Sequence, residues 1–170
     1  MRSIIIIFTM ILSQAVYALD LPEGWRMPTA QELADEPLRN ESPTKYSTAE
    51  GDFNGDGKTD YAFLLKSTKF SGEGLWVKLS TANGDEWIVL EQTDWGKEYP
   101  NVNLAMGIDL ADKGRYTTLC GKGYWTCEKG EPETLTLENP SIHYFKFASS
   151  DSVFFWNKKS KKFDRVWLSD

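Results

Sequence analysis

The chain has 170 residues, 41% of them apolar and 14% aromatic, with 19 Lys/Arg against 25 Asp/Glu and a formal net charge of −6. That length supports one domain with a real core. The acidic balance excludes a surface built to hold nucleic acid, which needs clustered positive charge.

The first residues, "MRSIIIIFTMILSQAVYA", place Arg2 before an apolar run over 4–12 and end on Val16-Tyr17-Ala18, a small-x-small cleavage pattern. This is the pattern of a cleavable secretory signal peptide. Residues 1–18 are therefore read as signal and 19–170 as a single β-rich domain, delivered to the periplasm or secreted. The apolar run is too short to span a bilayer, and no later segment is apolar enough to do so. The expected product is not membrane-embedded. Loss of Arg2 leaves 18 Lys/Arg against 25 Asp/Glu, a charge of −7.

"LPEGWRMPTAQELADEPLRN" predicts one short helix. Thr29 is a suitable N-cap and Glu32, three residues on, completes a capping box. Pro37 ends it.

The stretch "GDFNGDGKTDYAFLL" then crowds acids into a loop before turning apolar. Asp52, Asn54 and Asp56 alternate, Gly57 follows, and Asp60 comes three residues later. Crowded carboxylates repel one another unless a cation sits among them. Alternate residues can aim oxygens at one centre, and Gly57 permits the sharp turn. The candidate metal ligands are Asp52, Asn54, Asp56, the backbone carbonyl of Lys58, and Asp60, directly or through a water. An oxygen-only donor set suits calcium better than zinc. A helical EF-hand carries a bidentate Glu at loop position twelve; here that position is Phe63, and the residues after Asp60 read as a buried strand. An Asp/Asn/Gly-rich turn that binds nothing is the plainer alternative.

Strands are predicted over 61–66, 74–80 and 87–92, with an Asn83-Gly84 hairpin turn between the last two. Further strands are predicted over 103–110, 115–120, 124–127, 134–137, 141–147, 152–156 and 163–168. Turn signals at short intervals predict an all-β fold, predominantly an antiparallel sheet or sandwich, with the one short N-terminal helix.

Cys120 and Cys127, in "CGKGYWTC", are an even pair in an exported chain and predict a disulfide staple. Their spacing does not match a C-x-x-C redox motif.

The C-terminal third is rich in rings on consecutive strands: Tyr144, Phe145, Phe147, Phe154, Phe155, Trp156, Phe163 and Trp167. Strict alternation would leave one face polar. Rings on both faces require two covers, the domain itself and either more of the domain or a protein partner. Trp156 and Trp167 are the candidate anchors. Lys158, Lys159, Lys161 and Lys162 form a hairpin tip that keeps the edge soluble or steers an acidic partner.

With this order of features, the chain resembles small exported bacterial proteins that carry a single FG-GAP/VCBS-like calcium loop. The resemblance implies location and metal but no established activity. There is no Gly-x-Ser-x-Gly, no H-E-x-x-H and no P-loop, and His143 is the only histidine. The expected function is that of a non-catalytic calcium-binding protein that binds or neutralises a protein partner, as an inhibitor or immunity protein does. The alternatives are a small calcium-dependent hydrolase of glycan or phosphoester, and a carbohydrate-binding envelope module with a groove lined by Trp76, Trp87 or Trp95.

Overall fold

Residues 19–100 and 102–170 are described by a computed structural model, and the signal-peptide reading lies outside them. Apolar strand runs build the described residues into two larger antiparallel sheets and a two-stranded ribbon. The first has five strands in the order β1 (Trp25–Arg26), β3 (Asp60–Ser67), β4 (Gly72–Thr81) and β5 (Gly84–Asp94), with β2 (Thr48–Gly51) also pairing β3. β1 meets the end of β3 at Lys66 and Ser67, and β2 meets its start at Asp60 to Phe63, so the two share one side of β3. The second sheet runs β11 (Lys162–Ser169), β10 (Asp151–Asn157), β9 (Ser141–Lys146) and β6 (Met106–Ala111).

Ala62 and Leu64 of β3 and Leu75, Val77 and Leu79 of β4 meet Ile108, Ile142, Tyr144 and Phe154 of the second sheet in one core cluster. Burying each of these large side chains contributes about 1.5–3 kcal/mol, so this layer fixes how the sheets face. The predicted β-sheet class holds, with the helix α1 (Ala30–Ala34) capped by Thr29 and Glu32 as predicted. A 3-10 turn, Pro37–Glu41, follows it.

The other face of the second sheet is covered from within the chain. Val153, Val166 and Leu168 pack against Leu135 and Leu137 of a two-stranded ribbon, β7 (Gly114–Thr117) and β8 (Thr134–Leu137). The domain thus supplies both covers for most of the aromatic C-terminal strands. The strand predicted over 124–127 is corrected: those residues form a bend and irregular loop rather than pairing in a sheet. The disulfide draws them into a loop, which outweighs their aromatic content.

Buried charge sets the connection into β6. Arg39 is 1% exposed and donates to the carbonyls of Lys45, Leu104 and Met106 at 2.9, 2.8 and 2.7 Å. Glu73, also 1% exposed, accepts from the amides of Ala105 and Met106 at 2.9 and 3.0 Å. Lys66 donates to the Val102 carbonyl at 2.7 Å. Backbone carbonyls and amides satisfy most of these buried charged groups, as burial requires, while the Arg39 Nε has no partner among the described residues.

Candidate functional site

The acidic loop lies between β2 and β3. Asp52 is its hub: its carboxylate accepts from the amides of Gly55, Asp56 and Gly57 at 2.8, 3.0 and 2.9 Å. Asn54 accepts from Asp56 and Asp56 from Lys58, both at 2.9 Å. Gly57 takes φ +84°, the left-handed turn expected of it. Phe53, fully buried in the main core cluster, pins the loop to the sandwich.

Asp60 has turned inward. It is fully buried, and its two oxygens accept from Phe53 and Ser80 at 3.0 and 2.9 Å. Burial pushes its carboxyl above the usual carboxylate range, against the pull of those amides. Among the described residues, the carboxylate oxygens of Asp52, Asp56 and Asp60 do not gather within 4.8 Å of one another. The donor set is all oxygen and fits calcium chemically. The structure brings the loop's acids into one turn without closing them around one point.

The predicted staple is present: Cys120 and Cys127 are disulfide-bonded. The loop they close lies against the free edge of β11. Leu119 donates its amide to the Trp167 carbonyl at 2.8 Å, and Lys122 donates its ammonium to the Leu168 carbonyl at 2.6 Å. Gly121 is fixed by close approach, since a Cβ there would lie 2.0 Å from the Glu133 carbonyl oxygen.

Trp167 is 38% exposed and Trp125, in the stapled loop, is 41% exposed; Tyr124 beside it is 65% exposed. Trp125 and Trp167 line one groove of about 560 Å³ together with Phe155, Glu128, Glu131 and Arg165. Both rings are held in place. The Trp125 indole N–H donates to the Glu131 carboxylate at 3.2 Å. The Arg165 guanidinium lies 4.1 Å from the Trp167 ring centroid, a cation–π contact, and donates to Glu91 of β5 at 2.8 Å.

The other predicted anchors lie apart from this groove. Trp156 is half-buried against the main core cluster and packs edge-on to Phe163 at 5.2 Å. It sits near the hairpin tip, with the Phe154–Arg165 pair between it and Trp167. Lys158, Lys159, Lys161 and Lys162 are exposed on that tip, and Lys158 pairs with Glu138 at 2.7 Å. The rings named for a carbohydrate groove are half-buried: Trp76 packs on Trp25 at 5.3 Å, and the Trp87 indole donates to the Asp20 carbonyl at 3.0 Å. His143 lies 3.4 Å from Asp151 and tilts over Phe145 at 5.0 Å.

Sequence reasoning missed Trp125. Its signal was available, because a tryptophan inside a short stapled loop has little core to enter. It also missed Arg39 and Glu73, whose burial depends on pairing between distant segments. Comparison of the chain with protein-family models, with curated proteins and with solved structures returned no match.

Proposed function

We propose that this chain is an exported protein that works by binding another protein, through the groove between β11 and the stapled loop. The observation that carries the reading is the meeting of Trp125 and Trp167, both exposed, at one groove. Rigid, exposed aromatic anchors are what binding surfaces concentrate their energy on. The disulfide limits the entropy lost when a partner immobilises Trp125. In this reading Trp167 is an anchor as expected from the sequence and Trp125 joins it, while Trp156 and the lysine tip lie further along the same hairpin, outside the groove. The partner is met in the periplasm or outside the cell, where the staple stays oxidised.

Calcium supports the fold in this proposal. Asp52, Asn54, Asp56, the Lys58 carbonyl and Asp60 would hold the ion, whose charge would offset the crowded acids and join the β2–β3 turn into one rigid unit. The test of the binding role uses the mature protein as bait on periplasmic extract. A stoichiometric partner should be captured by the native protein and lost with Trp125→Ala. Turnover of a glycan or phosphoester, abolished by one carboxylate substitution outside the loop, would contradict it.

A further inference from the structure

We infer that the groove receives an extended peptide segment of the partner, which adds to the edge of β11 as a further strand; the inference rests on the binding reading above. The chain itself begins such a pairing. Leu119 donates to the Trp167 carbonyl at 2.8 Å on the side away from β10. In an antiparallel strand the groups facing one side recur at every second residue, so the backbone groups of Arg165 and Phe163 face the same way. The chain cannot continue along them. Gly121 is pressed onto the Glu133 carbonyl, and the Cys120–Cys127 bond turns the loop away. Among the described residues, no backbone group outside β10 pairs with Phe163 or Arg165. The result is a strand edge opened beside a groove whose opposite wall is Trp125 and the turn after it.

The groove's charge selects the segment. Glu128, Glu131 and Asp164 line it, against Lys129 and an Arg165 already paired with Glu91. A segment with a basic residue close to an apolar one complements this lining. The apolar side chain would enter between Trp125 and Trp167, and the alternate side chain would meet the carboxylates. This is recognition by strand addition, in which main-chain hydrogen bonds give affinity and alternate side chains give selectivity.

A phage-displayed library of random dodecapeptides, panned on the mature protein with its disulfide intact, tests the inference. Enriched peptides should carry Lys or Arg within two residues of an aromatic or aliphatic residue. They should bind Trp125→Ala roughly tenfold more weakly, as expected for a buried aromatic anchor. Amide hydrogen exchange at Phe163 and Arg165 should slow in the complex. Glu131→Gln, which keeps the loop's bulk and an acceptor for the Trp125 indole, should weaken the basic peptides, and circular dichroism of both variants matching the native protein should show that loss of fold is not the cause. Peptides that need Trp125 but leave exchange at Phe163 and Arg165 unchanged would contradict strand addition and leave the binding surface standing. Peptides that bind Trp125→Ala undiminished, or a library that yields none, would overturn the strand-addition inference and remove its support from the groove. Self-association of the native protein that is lost in Trp125→Ala would show a second copy as the occupant, against the inference.

Discussion

Arg165 of β11 donates to Glu91 of β5 at 2.8 Å while its guanidinium covers Trp167 at 4.1 Å. One side chain therefore ties the edge strands of both sheets together and holds a ring of the groove beside the stapled loop. The ion pair is partly exposed, so its own contribution to stability is at most about 1 kcal/mol. Its larger effect is on where the ring sits. Glu91→Gln should leave unfolding by urea nearly unchanged and should shift and broaden the Trp167 indole resonance. An unchanged indole spectrum would separate Trp167 from this bridge.

The buried cluster behind the first sheet makes a different prediction. Glu73→Ala leaves the Ala105 and Met106 amides without their acceptor and removes the nearby negative charge that favours the charged forms of buried Arg39 and Lys66. Leaving buried donors unsatisfied costs about 1–3 kcal/mol each, a large part of a domain's total stability. Urea denaturation should show that loss. Glu73→Gln keeps one acceptor and the shape, and should cost less. Equal losses from both would mean that the charge alone matters.

Acid dependence follows from two carboxyls with opposite signs. The hydrogen bond from Arg26, helped by Thr29, brings the Glu32 carboxyl down from 4.5 to about 2. Its stabilising contribution is complete above the ordinary value and fades as pH falls from there through about 2. Burial raises the carboxyl of Glu73; its contribution favours the folded state below the ordinary value and is lost as pH rises through the higher folded value. Arg26→Ala removes only the first effect. The variant should be less stable than the native protein at neutral pH, and the gap should close between about pH 4.5 and 2. A gap that stays constant over that window would show that Arg26 acts by packing rather than through Glu32.

Calcium gives a further prediction. A ligand that binds the folded state raises stability by mass action. Calcium should raise the melting temperature of the mature protein, and Asp56→Ala should remove most of the rise. Titration calorimetry without uptake at millimolar calcium would rule the loop out as a metal site.

Much of the sheet structure is legible in the residues. β3, β4, β9, β10 and β11 are apolar, ring-rich runs bounded by Gly, Asn or Ser turns, and they form where that pattern places them. β1 and β2 are not legible, because Trp25–Arg26 and "TAEG" are too short to show a period and form only by pairing with β3. The strands predicted over 115–120 and 134–137 overlap the ribbon that covers the second sheet, but its role as a cover depends on Leu135 and Leu137 meeting Val153, a contact between distant segments. The disulfide is legible from the even pair of cysteines and the glycines between them. Its consequence, the placing of Trp125 across from Trp167, is not, because Tyr124 to Cys127 look like a strand until the staple bends them.

The staple adds a prediction of its own. The loop-entropy relation gives about 2.5 kcal/mol for a ring of this size. Reduction should therefore lower stability modestly and leave both sheets folded, while freeing Trp125 to move away from Glu131. Loss of the sheet circular dichroism on reduction would show that the staple holds the fold and not only the groove wall.

Hydroxyl-radical footprinting tests the binding claim most directly. Tyr99, 61% exposed and outside the groove, serves as the internal reference for Tyr124, Trp125 and Trp167. When the mature protein is incubated in periplasmic extract, oxidation of Trp125 and Trp167 should fall while that of Tyr99 stays constant. Oxidation of both tryptophans unchanged, in an extract from which the protein nevertheless recovers a stoichiometric partner, would place the contact elsewhere and contradict the account.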